Sequence, residues 1–154
     1  MAKAKPKKPA IVNRRAGYDY QLGDELVVGL ELTGPEVRAA RDGHLQLKGS
    51  YVNISREELW LIGASFSLKL NEKGGANRTV DDRPRRLLAR RREIENLAAQ
   101  RKQGLTIVPL RLLNRGRYIK LVIALGKGKK RYDKRQALKK RDVKRDINRV
   151  LKSR

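Results

Sequence analysis

The sequence predicts a mainly β protein, in which a small closed β-barrel with inserted helices is followed by a basic C-terminal tail. Five or six short apolar runs bounded by Gly, Pro and Asp indicate strands, and stretches with helical spacing lie between them. The last apolar run ends at Gly126, and the 28 residues after it hold 14 Lys and Arg against three Asp. Because short strands with unpaired edges aggregate, closure into a barrel is favoured over an open sandwich.

At 154 residues the chain has the size of one domain with tails. Residues 1–10 alternate Lys, Ala and Pro, so we expect a flexible basic arm that cannot bury enough surface to order itself. Residues 11–126 are predicted to form the barrel, and residues 127–154 the basic tail.

The first half of the barrel contains a strand, a helix and a hairpin. The strand is predicted over residues 24–32 and ends at Thr33-Gly34-Pro35. Thr33 or Gly34 is expected to cap a short helix that has Pro35 at its first position and stops at Gly43. Two extended runs, residues 45–54 and 59–68, favour a hairpin, and Trp60 in the second run is predicted to lie in the core.

The second half begins with a connection and a longer helix. Residues 71–86 contain Gly-Gly, Asp-Asp and Pro and predict an exposed, mobile connection. A helix follows and ends at Gly104, but residues 86–88 suit either its first turn or a short strand. The strands 105–113 and 117–125 form a final hairpin, in which Pro109 is expected at a bulge or on an unpartnered side.

Composition excludes several classes of function. There is no cysteine and only one histidine, so thiol chemistry and zinc sites are improbable. The formal net charge of +23 requires a polyanionic partner, and the basic segments lack the apolar face that binds a membrane surface. No apolar run is long enough to cross a bilayer. We expect a soluble cytoplasmic protein that binds RNA or DNA, is a monomer when free, and uses no cofactor, metal or membrane.

Three functional classes remain. Scarce aromatic residues, seven in all, argue against a stacking platform for single strands and favour a folded RNA. A structural ribosomal protein would share this composition. A nuclease would need a metal-binding acidic pair such as Asp81-Asp82, but adjacent acids on a strand point to opposite faces.

Seven segments of the chain, taken in order, match one known family: Asn13-Arg14-Arg15-Ala16 with Asp19-Tyr20, residues 29–38, Arg41-Asp42-Gly43 leading to Ser50-Tyr51, Glu58-Leu59-Trp60-Leu61, Arg92-Glu93-Ile94, residues 104–110 and residues 127–135. Along nearly its whole length the chain thereby resembles the SmpB family, the SsrA-binding proteins of bacterial trans-translation. The resemblance implies an OB-like β-barrel and an RNA-binding adaptor that is not an enzyme. It also implies three partners: the tRNA-like domain of transfer-messenger RNA, the decoding centre of stalled ribosomes, and elongation factor Tu in the delivery complex.

The resemblance and the charge pattern together give the candidate residues. For the transfer-messenger RNA they are Asn13, Arg14, Arg15, Arg38, Arg86, Leu88, Arg91, Arg92, Lys120, Lys127, Lys129 and Lys130. For the ribosome they are the tail residues Arg131, Tyr132, Asp133, Lys134, Arg135, Lys139, Lys140, Arg141, Lys144 and Arg145. The chain departs from the family at Val27, where an acid is common, and at Arg90, where histidine is usual.

The tail is predicted to be disordered or conditionally helical. As a helix it carries only a thin apolar stripe through Val143, Ile147 and Val150 or Leu151, too weak to fold alone until phosphates neutralise its charge. Gly126 and Gly128 are expected to supply a hinge. Tyr132, the only aromatic residue in the tail, is the candidate for stacking on a base.

Overall fold

The computed structural model describes residues 10–69, 78–114 and 116–153. The basic arm predicted for residues 1–10 therefore lies, except for Ala10, outside the described residues. Within them the chain forms, in order, α1 Ala16–Asp19, β1 Tyr20–Leu30, α2 Gly34–Arg41, β2 Leu45–Gln46, β3 Tyr51–Ser55, β4 Glu58–Ile62, β5 Ser65–Lys69, β6 Arg78–Asp81, β7 Arg85–Leu88, α3 Arg91–Arg101, β8 Thr106–Leu113, β9 Lys120–Gly128 and α4 Arg131–Lys152.

Six strands close into a barrel in the order β1-β7-β4-β3-β8-β9, with β9 returning to β1. All of their pairings are antiparallel. The predicted closed barrel with inserted helices is therefore confirmed. The remaining three strands form a separate small sheet in the order β2-β5-β6, which we call the small sheet.

The core follows the two-residue alternation of the strands. In β4 the side chains of Leu59 and Leu61 are fully buried, whereas Trp60 between them lies on the outer face and is half-buried. The prediction that Trp60 is a core residue is wrong, because the alternation assigns the inner face to its two leucine neighbours. A second apolar cluster lies on the other face of β8 and β9, where Ala16 covers Val122 and Ala124.

The two predicted long strands of the first hairpin are each broken by a glycine. Gly49, with φ 76°, lies between β2 and β3, and Gly63, with φ 81°, lies between β4 and β5. Positive φ at these positions turns the chain out of the barrel. The same two runs therefore supply strands to both the barrel and the small sheet.

The exposed connection predicted over residues 71–86 is wrong for its second half. Residues 78–81 form β6 and residues 85–88 form β7, whereas residues 70–77 lie outside the described part of the chain. The sequence pattern did not reveal β7 because one of its inward-facing positions is the charged Arg85, which is 1 % exposed. Residues 86–88 are consequently a strand, and α3 begins at Arg91.

Arg85 is buried because Glu36 of α2 binds it. Glu36 Oε1 accepts hydrogen bonds from Arg85 Nε at 3.1 Å and from Arg83 Nη2 at 2.7 Å. The other carboxylate oxygen accepts the Thr33 amide at 2.9 Å and so caps α2. The Arg85 guanidinium also lies 3.9 Å over the Phe66 ring of β5. This ionic network joins α2, β7 and the small sheet.

The last hairpin places Pro109 as predicted. The β8-β9 register shifts between Pro109 and Arg111, so the proline lies at a bulge. Strand β9 continues to Gly128, which pairs with Tyr20 of β1. The expectation that Gly126 and Gly128 form a hinge is wrong, because both are paired within the barrel.

Gly126 is required by a close approach rather than by flexibility. A Cβ atom at this position would lie 2.8 Å from Tyr20 Cβ, which cannot move without its backbone. Gly126→Ala is therefore expected to destabilise the protein by about 1–3 kcal/mol in chemical unfolding. Gly128→Ala is the matched control, since a Cβ there meets nothing within 4 Å. Equal unfolding free energies for the two variants would contradict this explanation.

Candidate nucleic-acid interface

One group of candidate residues forms a row across three strands of the barrel. Gly29 of β1 pairs with Leu88 of β7 on one side and with Lys120 of β9 on the other. Residues directly opposite in an antiparallel sheet present their side chains on the same face. Leu88 is 51 % exposed and Lys120 is exposed, so this face is the outside of the barrel.

The glycine makes this row concave. With strands about 4.8 Å apart, the backbones of Leu88 and Lys120 are roughly 10 Å apart. A Cβ on Gly29 would lie 3.1 Å from Leu88 Cβ, so a larger residue would crowd the leucine. The cavity above the row, about 590 Å³, is also lined by Val27 and Arg90. We call Val27, Gly29, Leu88, Arg90 and Lys120 the Leu88 surface.

The Leu88 surface combines apolar and cationic groups. Val27 is 49 % exposed beside Leu88, and Arg90 and Lys120 supply the charges. The one acid lining the cavity, Glu93, is already engaged, since its carboxylate accepts the Arg90 amide at 2.8 Å. Such a surface can pack a ribose or an exposed base against Leu88 while Lys120 and Arg90 bind phosphates. Both departures from the family pattern, Val27 and Arg90, lie on it.

Asn13 lies elsewhere on the barrel. The backbone N–H of Asn13 donates to Leu110 O at 2.7 Å, and its side-chain Nδ2 donates to Pro109 O at 3.0 Å. These two hydrogen bonds fix Asn13 beside β8. Around the barrel two strands separate β8 from β7 in either direction. The structure therefore does not bring Asn13 together with Leu88. The side chain is only 7 % exposed, and Oδ1 is its one polar atom with no hydrogen-bond partner among the described residues.

Near Asn13 the chain forms the junction between the barrel and the tail. Lys129 donates its amide to Asp19 O and its Nζ to Gly17 O, both at 2.9 Å. Lys134 Nζ lies 3.2 Å from Asp19 Oδ1 and 5.6 Å from the centre of the Tyr18 ring. These contacts hold the first turn of α4 against α1. The other predicted cations here are all exposed: Arg14, Arg15, Lys127 and Lys130.

The remaining predicted arginines differ in how far acids already neutralise them. Arg86 lies 2.8 Å from Glu58, and Arg91 lies 3.1 Å from Glu95. Arg92 is exposed on α3 and forms no ion pair within the described residues. Arg38 lies on α2, beside the small sheet and away from the Leu88 row. Arg92 and Arg38 are thus better placed to bind phosphate than Arg86 and Arg91.

The predicted tail is a 22-residue helix, α4, with no buried residue. Tyr132 is 69 % exposed, and its hydroxyl accepts a hydrogen bond from Gln136 Nε2 at 3.0 Å. The expected apolar stripe is present and exposed, with Val143, Ile147 and Val150 at 54–60 %. The other predicted ribosome residues all lie on this helix: Arg131, Asp133, Arg135, Lys139, Lys140, Arg141, Lys144 and Arg145.

Within the described residues Asp81 is engaged with arginines rather than with a metal-binding group of acids. No group of three or more histidine, cysteine, aspartate or glutamate side chains is arranged to hold a metal ion there. Asp81 instead lies 3.6 Å from the buried Arg85 and 3.8 Å from Arg83, so it is part of the ionic network. No helix in the described part of the chain is long and apolar enough to span a membrane.

Comparison with known proteins agrees with the geometry. The family model for the SmpB protein matches residues 10–153. An SsrA-binding protein of Roseiflexus sp. (strain RS-1) is 43 % identical over 143 residues, covering 92 % of this chain and 90 % of the relative. One from Coxiella burnetii (strain Dugway 5J108-111) is 43 % identical and covers 99 % of both chains. A solved structure described as "tmRNA-SmpB: a journey to the center of the bacterial ribosome" matches with a TM-score of 0.62 and 32 % identity, over 84 % of this chain and 94 % of that chain.

Proposed function

Because this chain belongs to the SmpB family, we propose that it is an RNA-binding adaptor of trans-translation. The family resemblance inferred from the sequence is confirmed. The protein binds the tRNA-like domain of transfer-messenger RNA and brings it to stalled ribosomes. It makes and breaks no covalent bond, and acts by joining two RNA environments through two separate parts of its surface.

The row of Leu88, Gly29 and Lys120 is the observation that carries this proposal. Leu88 and Lys120, 32 positions apart in sequence, lie on either side of one glycine and are both exposed, and the cation Arg90, just before α3, lines the same cavity. Leu88 and Val27 are exposed together and form an apolar patch beside two cations, and contiguous apolar patches rimmed by polar residues mark interaction sites. Folded RNA, with its phosphates, riboses and a few unstacked bases, matches that mixture.

Helix α4 is proposed as the ribosome-binding part. It carries ten Lys and Arg against three Asp, a net charge of +7 over residues 131–152. Because none of its residues is buried, the helix can enter an RNA-lined channel without unfolding the barrel. There Tyr132 can stack on a base of the decoding centre. Elongation factor Tu completes the delivery complex, and the cytoplasm, where ribosomes stall, is the place of action. The free protein is proposed to be a monomer.

The contributions of Leu88 and Lys120 to RNA binding can be tested separately, because Leu88 contributes apolar contact and Lys120 contributes charge. Leu88→Ala should weaken binding to a transcript of the tRNA-like domain about tenfold without changing the salt dependence, since it removes apolar contact. Lys120→Ala should weaken binding and make the slope of log K against log salt shallower by about 1. Filter binding or fluorescence anisotropy at several salt concentrations measures both.

The controls are Val143→Ala on α4 and Lys102→Ala just after α3, an exposed apolar residue and an exposed cation away from the Leu88 surface. Each control should leave the affinity within about twofold of wild type, as expected for a position outside the interface. If Leu88→Ala and Lys120→Ala bind the transcript as tightly as their controls, the Leu88 surface is not the RNA-binding site.

A further inference from the structure

A second basic site lies outside the barrel, where α2 packs against the small sheet. Three cations from three elements line one cavity of about 250 Å³: Arg38 of α2, Lys69 of β5 and Arg78 of β6. The remaining lining residues are Gly34, Pro35, Ala39 and Asp42. We call Arg38, Lys69 and Arg78 the small-sheet site. Its four charged residues carry a net charge of +2.

Two of these cations face each other across the sheet. In the β5-β6 register Lys69 is the direct partner of Arg78, and both side chains are exposed. Like charges directly opposite one another destabilise an antiparallel pair. Among the described residues none of the three cations has an acidic group within the 4.0 Å of an ion pair. The described residues therefore place three cations together at this point without an acid in ion-pair contact.

The guanidinium of Arg78 is held in place for binding. Its Nη1 donates to Ser67 O at 3.1 Å, and its other N–H groups make no hydrogen bond within the described residues. A guanidinium fixed by one hydrogen bond loses little entropy when the others bind an anion. Arg38 lies on the exposed face of α2, one helical turn before Asp42.

The backbone amides at the start of α2 do not create this site. The Thr33 amide donates to the Glu36 carboxylate, and the Thr33 side chain accepts the Glu36 amide. These contacts satisfy the helix N-terminus internally and place a negative charge there. Attraction for an anion at the small-sheet site therefore comes from the three side chains.

We propose that Arg38, Lys69 and Arg78 bind a backbone phosphate of RNA, at a site distinct from the Leu88 surface. None of the three residues belongs to a barrel strand, whereas the Leu88 row lies on β7, β1 and β9. The proposal rests on the proposed function, because that function supplies RNA as the partner. The phosphodiester belongs either to transfer-messenger RNA or to ribosomal RNA, and both present the same chemistry to three cations.

The test compares two charge-matched triple variants of the full chain. The site variant is R38Q/K69Q/R78Q, and the control is K48Q/R101Q/K102Q, which removes three exposed cations from other places. Binding is measured with a transcript of the tRNA-like domain and with purified ribosomes, at several salt concentrations. The site variant should bind one or both probes about tenfold more weakly than the control, with a log–log salt slope shallower by roughly 1 to 3.

The melting temperature separates binding from a structural role. Because the substitutions remove a like-charge pair, the site variant should melt no lower than wild type. A weakening confined to one probe identifies the source of the phosphate and supports the proposal. Affinities equal to those of the control for both probes overturn it, as does a melting temperature that falls with the affinity. Failure of the unaltered protein to bind the tRNA-like domain would instead contradict the proposed function.

Discussion

Truncation after Lys130 is expected to abolish the tagging of stalled chains while leaving the barrel folded and most of the affinity for the tRNA-like domain intact. The physical reason is that α4 has no buried residue and is held to α1 by contacts of its first turn, such as the ion pair of Lys134 with Asp19. Removing it should cost the fold almost nothing, whereas the part proposed to bind the ribosome is lost. In vitro tagging on ribosomes stalled without a message, together with anisotropy on the transcript, measures both outcomes.

A second truncation, after Gly126, is the control for where the barrel ends. It removes the pairing of Lys127 with Gln21 and of Gly128 with Tyr20, and also the contacts of Lys129 with α1. This shorter chain should be less stable than the one ending at Lys130. If the chain ending at Lys130 still tags, the helix is not the ribosome-binding part, and if it loses all RNA affinity the two functions are not separable.

Glu36→Ala is expected to cost about 3–5 kcal/mol of unfolding free energy, because it removes the buried and closest counter-charge of a buried arginine and leaves only the more distant Asp81 among the described residues. Arg85 is 1 % exposed, and Glu36 is its closest acidic partner at 3.0 Å. Chemical unfolding followed by circular dichroism provides the measurement. Much of the loss should be recovered in the double variant E36L/R85M, since apolar residues of similar size can replace a buried ion pair.

Glu93→Ala is the matched control for Glu36→Ala. Glu93 occupies the same capping position of α3, where its carboxylate accepts the Arg90 amide, but no buried cation depends on it. Its loss should cost only about 1 kcal/mol, the usual value of a capping interaction. Similar costs for the two variants would show that capping, rather than the buried charge, accounts for the effect of Glu36.

Local chemistry made the helices and the barrel predictable. Pro35 placed the start of α2 to within one residue, and Pro109 placed a bulge in the last hairpin, because both depend on residues close in sequence. Closure of the barrel followed from the number of short strands. Each of these features is set by patterns a few residues long.

The features that the sequence did not predict share a different cause: each depends on contacts between residues that are distant in sequence. Arg85 looked like a surface charge because its partner, Glu36, lies 49 residues away. Trp60 looked like core because its face depends on the register of β4 with its neighbours. The pairing of Lys69 with Arg78 across β5 and β6 was equally invisible without a register. The separation of Asn13 from the Leu88 row likewise depends on the order of strands around the barrel.

The junction at Asp19 has a mechanical consequence. Helix α4 has 22 residues, so it extends about 33 Å from the point where Lys129 and Lys134 hold it to α1. The helix is held at its base by Lys129, which donates to the Asp19 and Gly17 carbonyls, and by Lys134, which pairs with the Asp19 carboxylate. A tilt of about 10° at Asp19 moves the far end by about 6 Å, more than the spacing between two strands. The position of the far end of α4 relative to the barrel is therefore set by the geometry of the short junction at Asp19.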